Sequence, residues 1–163
     1  MAAASEIDGF LVKYSTQVAL QLRAARAKLR TLFPNGYELV YDNYNALVFG
    51  YAPTERASEA VISIAGYPRW VTLFFLNGAS LRDPDGLLQG SGTRVRSTRL
   101  AAPEDLDRVE VRQLIQRALA PCQSKLATAP PLRTVVKSVS RKQRSRQPST
   151  TKAVQPKARR ARA

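Results

Sequence analysis

The stretch from Gly66 to Gly78 reads Gly-Tyr-Pro-Arg-Trp-Val-Thr-Leu-Phe-Phe-Leu-Asn-Gly, and it contains the most apolar run of the sequence. Residues 70–76 are mainly aromatic, β-branched or leucine, and turn-forming residues bound them on both sides, which predicts a strand. Successive side chains of a strand point to opposite faces, and here both faces are largely apolar. We therefore expect a central strand that marks the midline of the sheet and is covered on at least one side.

The rest of the chain predicts an α+β fold around that strand. Two N-terminal helices are expected over 5–14 and 15–33, because apolar residues recur there at helical spacing and Ser15 can act as an N-cap. A C-terminal helix is expected from Asp107, which forms a capping-box pattern with Glu110. About five strands lie between these helices, and their short connections favour a single, mostly antiparallel sheet. The predicted strands are 37–41, 46–51, 60–65, 70–76 and 93–100.

The charge of the chain is concentrated in its C-terminal quarter. The sequence has 163 residues, with 26 Lys and Arg against 12 Asp and Glu, so its formal net charge is +14. Residues 123–163 hold twelve of the basic residues and no acidic or aromatic residue. Because such a composition cannot bury a core, we expect a domain of residues 1–122 followed by a disordered basic tail of residues 123–163. Thr134 to Val139 could pair with a partner.

Residue types that are rare or missing narrow the possible functions. The single cysteine, Cys122, excludes an intrachain disulfide and is typical of a reducing compartment. No stretch approaches the ~20 apolar residues of a membrane span, and the N-terminus lacks the apolar region of a signal peptide, so a cytoplasmic protein with no membrane contact is expected. His is absent, which removes the commonest general base and transition-metal ligand. We expect no catalytic residues, no metal and no cofactor.

A polar link between the first two strands is the first candidate binding site. Its simpler interpretation is a hairpin turn with side chains that cap backbone groups. If the link lies at the same end of the sheet as Gly66–Trp70, the two stretches could form a pocket for a small ligand. The residues assigned to this ligand site are Tyr41, Asp42, Asn43, Tyr44, Asn45, Tyr67, Arg69 and Arg96.

A glycine-rich stretch before the fifth strand is the second candidate site. Glycines let backbone N–H groups approach an oxyanion, and arginine offers a bidentate fork to the same anion. The stretch lacks the lysine of a nucleotide-binding phosphate loop and precedes a strand rather than a helix, so an ordinary loop is the competing interpretation. The residues assigned to this anion-binding loop are Gly90, Ser91, Gly92, Thr93 and Arg94.

The basic tail is the strongest electrostatic feature of the sequence. Its cations could neutralise the phosphates of nucleic acid, in which case affinity would fall steeply with salt. The tail has no aromatic residue and so offers no base stacking, and a solubilising extension is the alternative interpretation. The tail residues assigned to electrostatic contacts are Arg141, Lys142, Arg144, Arg146, Arg159, Arg160 and Arg162.

Three segments resemble a bacterial family of unknown function, the YdhG-like domain. They are Tyr37–Leu47, Gly66–Leu76 and Leu87–Gly92, and the likeness covers roughly residues 6–120. The resemblance implies an α+β domain with helices before and after a sheet, and it brings no agreed catalytic residues. Some relatives are discussed as frataxin-like iron chaperones, and frataxin-type iron binding relies on an acidic ridge along the first helix. Residues 15–33 contain four basic residues and no acid, which argues against that role here.

These observations favour a non-enzymatic binding module for a small ligand or a protein partner. One alternative is a nucleic-acid-associated protein that acts through its basic tail. The other is a frataxin-like intracellular iron chaperone. An enzyme is the least favoured class, because without His it would depend on Asp42, tyrosine and arginine alone.

Overall fold

The computed structural model describes residues 2–149, which form four helices and six strands. The helices are α1 (Ala2–Leu11), α2 (Thr16–Leu32), α3 (Val109–Leu119) and α4 (Gln123–Thr128). The strands are β1 (Tyr37–Asp42), β2 (Leu47–Ala52), β3 (Ile62–Gly66), β4 (Val71–Phe75), β5 (Arg96–Leu100) and β6 (Arg133–Val139). Over this part of the chain, no helix combines the length and apolarity that crossing a membrane requires.

The strands form one sheet in the order β5-β4-β3-β2-β1-β6. From β1 to β5 each strand pairs antiparallel with its neighbour in the chain, whereas β6 pairs parallel with β1. The predicted α+β class with a mostly antiparallel sheet is confirmed, but the sheet has six strands rather than five. The prediction that residues 70–76 mark the midline is wrong. They form β4, which lies second from an edge, because a chain that adds strands in sequence puts its fourth strand off-centre.

The core lies between one face of the sheet and the first three helices. Val71, Leu73 and Phe75 of β4 are fully buried on this face, as the predicted alternation requires. They pack in the same cluster as Leu22 and Leu29 of α2, and burying each such side chain contributes roughly 1.5–3 kcal/mol before entropy. The core side of the sheet therefore sets the positions of α1, α2 and α3.

The start of α2 agrees with the sequence, whereas the starts of α1 and α3 differ, and α1 begins at Ala2 rather than at residue 5. Ser15 is the N-cap of α2, and its Oγ accepts a hydrogen bond from the backbone N–H of Val18 at 3.4 Å. The predicted capping box at Asp107 is wrong, because α3 begins only at Val109. Asp107 instead ends a short 3₁₀ turn that starts at Pro103, and its carboxylate pairs with Lys28 and Arg112.

Residues 123–149 belong to the fold, which corrects the prediction that a disordered tail starts at residue 123. The segment forms α4 and then β6, and β6 pairs with β1 from Tyr37 opposite Arg133 to Asp42 opposite Val139. Residues 140–149, which we call the strap, then run along the link between β1 and β2. The composition of residues 123–149 does not reveal that they are ordered, because the hydrogen bonds that order them come from the unpaired edge of β1. Residues 150–163 lie outside the described residues.

Candidate functional site

The link between β1 and β2 and the link between β3 and β4 lie at the same end of the sheet. Strand register shows this, because Asp42 pairs with Leu47, Leu47 pairs with Gly66, and Gly66 pairs with Val71. Residues 43–46 and 67–70 are therefore adjacent, as the ligand-pocket hypothesis requires. We call this end of the sheet the turn end.

A pocket of about 460 Å³ lies at the turn end, and the strap forms part of its wall. Three segments of the chain contribute to it, and none of the lining residues is acidic. The lining residues are Asn45, Tyr67, Pro68, Arg69, Trp70, Arg144, Ser145, Gln147 and Ser149. This turn-end pocket therefore combines aromatic rings, guanidinium groups and neutral polar side chains.

An aromatic pair and a guanidinium group are stacked at this pocket. The rings of Tyr67 and Trp70 have centroids 5.5 Å apart and are inclined by 29°. The guanidinium carbon of Arg99 lies 4.3 Å from the ring centroid of Trp70, within cation–π distance. The link between β3 and β4 is closed by a 2.8 Å hydrogen bond from the Tyr67 N–H to the Trp70 carbonyl. Burial raises the pKa of Tyr67, so its hydroxyl stays neutral at physiological pH.

A buried ion pair next to the pocket attaches the strap to the sheet. Arg146 Nη2 donates to Asp42 Oδ1 at 2.8 Å, and both side chains are at most 1% exposed. Arg146 also donates to the Tyr14 hydroxyl at 2.8 Å and to the Asn43 carbonyl at 2.5 Å. Its guanidinium lies 5.2 Å from the ring centroid of Tyr14. A residue assigned from sequence to tail contacts is therefore an internal anchor.

Asp42 is surrounded by donors rather than open to a ligand. Its Oδ2 accepts hydrogen bonds from Lys13 Nζ at 2.5 Å and from Gln143 Nε2 at 2.7 Å. Burial by itself would raise the pKa of Asp42, but the hydrogen bonds from Lys13 and Gln143 and the charge of Arg146 outweigh it and lower the pKa. The carboxylate therefore stays ionised and holds the strap in place.

Other members of the predicted ligand site have separate locations. Within residues 2–149 the Tyr41 hydroxyl is buried without a hydrogen-bond partner, and the backbone carbonyl of exposed Tyr44 accepts from the Arg144 N–H at 2.9 Å. Of the whole link between β1 and β2, Asn45 is the residue that lines the turn-end pocket. The assignment of Arg96 to this site is wrong, because Arg96 pairs with Phe75 at the opposite end of β4.

The predicted anion-binding loop lies at that opposite end, and its arginines are occupied. Arg94 donates to Asn77 Oδ1 from Nε at 3.1 Å and from Nη2 at 2.8 Å. Arg96 Nη1 donates to the carbonyls of Gly92 at 2.5 Å and Val95 at 2.8 Å. The guanidinium groups thus bind oxygen atoms of the protein, which favours the interpretation as an ordinary loop. The remaining loop residues, all exposed, are Gly90, Ser91 and Thr93.

The predicted tail contacts have three different fates. Arg144 lines the turn-end pocket, whereas Arg146 is the buried anchor described above. Arg141 and Lys142 are exposed on the strap. The last three assigned residues lie outside the described residues, and they are Arg159, Arg160 and Arg162.

A second, smaller pocket of about 200 Å³ lies at the opposite end of the sheet, between the helices and the entry to β3. Its charged groups have partners within the described chain, because Lys125 Nζ lies 3.5 Å from Glu59 Oε1 and Arg117 donates to the Arg82 carbonyl at 3.0 Å. Cys122 also lines it, but burial raises the pKa of the thiol, which keeps it protonated and unreactive. This pocket offers no comparable set of available donors.

Sequence reasoning missed Arg99 and the strap residues Ser145, Gln147 and Ser149. Arg99 reaches Trp70 because β5 pairs with β4, with Arg99 opposite Thr72. The sequence of either strand alone does not predict that register. The strap residues carry no local signal, since their place depends on the buried partner of Arg146. Residues 2–149 contain no group of three Asp, Glu or Cys side chains placed to hold a metal ion.

Comparison with protein-family models, curated proteins and solved structures found no match to this chain.

Proposed function

We propose that the protein is a non-enzymatic binding module and that the turn-end pocket binds an anionic ligand. One observation carries this proposal: two arginines, Arg69 and Arg144, join the Tyr67–Trp70 pair in a pocket whose lining includes no acid. The layout of helices before and after a sheet is compatible with the proposed YdhG-like family. A reducing compartment such as the cytoplasm fits the single cysteine, Cys122.

Arginine suits this role because its planar guanidinium presents several N–H groups to one phosphate or carboxylate. Arg69 uses one of these donors for the Ser149 carbonyl, at 3.0 Å, and keeps others available. Arg144 is exposed, and within residues 2–149 its guanidinium takes part in no ion pair. Arg99 adds a third positive charge beside Trp70. Among the residues that line the pocket, an anion would therefore meet two cations and no carboxylate, with Arg99 as a third cation nearby.

The chemistry of the lining favours binding over catalysis. The pocket contains amide, hydroxyl and guanidinium groups, and Ser145 and Ser149 have no base among the lining residues to activate them. The nearby carboxylate of Asp42 is ion-paired with Lys13 and Arg146, so it is not available as a general base. An iron-chaperone role is not proposed, because α2 contains no acid and α1 carries two, Glu6 and Asp8, of which Asp8 is paired with Arg23.

Isothermal titration of the full chain with inorganic pyrophosphate tests the proposal. We expect saturable binding that weakens about tenfold when Arg69→Gln and Arg144→Gln are combined, since two charge-assisted contacts are lost. The combination of Arg94→Gln and Arg96→Gln is the matched control, because it removes the same two charges at the opposite end of the sheet. Absence of saturable binding, or an equal loss in the control, would show that the turn-end pocket is not an anion site.

A further inference from the structure

We infer that the ligand of the turn-end pocket is single-stranded nucleic acid, with a base against the Tyr67–Trp70 pair and the neighbouring phosphates on Arg69 and Arg144. This inference rests on the proposed anion-binding function and names its ligand class. It differs from attraction by the basic tail alone, because the aromatic surface belongs to the folded core.

The aromatic pair has the surroundings of a stacking platform rather than of core packing. A second stacked pair in the same protein, Phe33 with Tyr51, shows what core packing looks like here, because both rings are at most 1% exposed. Tyr67 and Trp70 are only half-buried, and they line an open pocket. A half-buried aromatic pair beside several guanidinium groups is the combination by which single-stranded nucleic acids are held, since every base has a face that can stack.

Positive charge is arranged around this pair along a path. Arg99 contacts the Trp70 ring, Arg69 lies in the same link as the aromatic pair, and Arg144 lies on the strap. The strap reaches the rim of the pocket at Ser149, where the described chain ends. The 14 residues that follow in the sequence contain five more cations, which are Lys152, Lys157, Arg159, Arg160 and Arg162.

The geometry favours single strands over duplexes. A pocket of about 460 Å³ is of the size that encloses a small organic group. A base in a duplex is paired and stacked and cannot enter such a pocket, whereas an unpaired base can turn outward and stack on a protein ring. A duplex would meet the arginines and the tail only through its phosphates.

The chain contains one tryptophan and six tyrosines, so fluorescence excited selectively in tryptophan reports on this site alone. We would titrate the full chain with a dT oligonucleotide of about 12 nucleotides, a length in the range that single-strand binding folds cover. Saturable quenching of Trp70 emission is expected, together with affinity that falls as salt rises. Tyr67→Leu is expected to weaken binding about tenfold in an anisotropy assay, and Tyr67→Phe is expected to retain it because the ring remains.

Two controls separate this inference from the anion-binding function. Heparin carries negative charge without bases, so it should bind without quenching Trp70, and a duplex of equal length should bind more weakly than the single strand. If pyrophosphate binds saturably but the oligonucleotide neither quenches Trp70 nor outcompetes heparin, the pocket is an anion site and single-stranded nucleic acid is not its ligand. If neither probe binds, both the inference and the anion-binding function are wrong. Urea unfolding of each Tyr67 variant confirms that it is folded before its affinity is compared.

Discussion

Replacing Arg146 with methionine tests whether a buried ion pair holds the strap onto the sheet. The Arg146 guanidinium is at most 1% exposed and donates to Asp42, to the Tyr14 hydroxyl and to the Asn43 carbonyl. Methionine occupies part of the same volume without the charge or the donors. The variant therefore removes the ionic anchor, and we expect it to leave β6 and its pairing with β1 in place.

The expected loss of stability follows from what each partner retains. Removing one member of a buried ion pair costs about 3–5 kcal/mol when the other charge is left alone. Asp42 keeps Lys13 and Gln143, and the Tyr14 hydroxyl still donates to the Gly66 carbonyl at 2.6 Å. We therefore expect Arg146→Met to lower the free energy of unfolding by ~2–3 kcal/mol, at or just below the low end of that range.

Urea unfolding of the full chain, followed by far-ultraviolet circular dichroism, measures this loss. With a urea m-value of about 1–3 kcal/mol/M, the midpoint is expected to fall by roughly 1 M. Arg144→Met is the matched control on the same strap, because Arg144 is exposed, and its effect is expected within about 0.5 kcal/mol. Hydrogen exchange at the N–H groups of Ser140 and Arg144, which donate to the carbonyls of Asp42 and Tyr44, should accelerate only in Arg146→Met.

Equal midpoints for the two variants, with unchanged exchange at both amides, would refute the reasoning. That result would mean that Arg146 is not desolvated in solution and that the strap is held by its backbone hydrogen bonds alone.

Three further perturbations have defined outcomes. Glu38 and Asp42 both have a lowered pKa, because ion pairing and hydrogen bonds outweigh burial. The stability that they contribute is therefore full above the unfolded pKa values of about 4 and is lost as pH falls through the folded values. Between pH 6 and pH 3, the urea midpoint should fall less in Asp42→Asn than in the unchanged protein. Gly36→Ala should lower stability by about 1–3 kcal/mol in thermal unfolding, because φ is +105° and a Cβ would lie 2.5 Å from the Ala52 carbonyl oxygen, whereas Gly9→Ala, in an open position on α1, should raise it by ~0.5–1 kcal/mol. Deleting residues 150–163 should make the salt dependence of oligonucleotide binding shallower, by up to about 3.5 in the log–log slope, because five cations are lost. An unchanged slope would show that these cations make no phosphate contacts.

Part of the candidate site was predictable from sequence. Tyr67 and Arg69 flank the strand that the apolar run predicts, and adjacent hairpins of an antiparallel sheet necessarily place alternate turns at one end. Asn45 follows from the same argument. The assignment of Arg96 to the ligand site was wrong because the loop before β5 is long, so the sequence does not indicate at which end of the sheet that strand begins.

The buried anchor had a weak signal that could have been followed further. Glu38, Val40 and Asp42 lie two residues apart along β1 and so share one face, which places two carboxylates on the same side as the core. A buried carboxylate needs partners, so cations had to come from elsewhere in the chain. Arg26 and Arg30 of α2 pair with Glu38, at 2.7 and 2.8 Å, and Arg146 of the strap pairs with Asp42. The sequence of β1 indicates that these carboxylates need cationic partners, but it does not identify the partners.

By itself, the sequence determined the secondary structure of the core, because helix and strand formation follow from local periodicity in stretches such as residues 16–32 and 70–76. Only the tertiary structure decided that residues 123–149 complete the sheet and wall the turn-end pocket. Their composition is that of a solvated basic segment. They are ordered by contacts with residues far away in the sequence, because β6 pairs with the open edge of β1 and Arg146 binds the carboxylate of Asp42. Hydrogen bonding and charge neutralisation between segments about 100 residues apart are properties of the folded chain, so no local pattern encodes them.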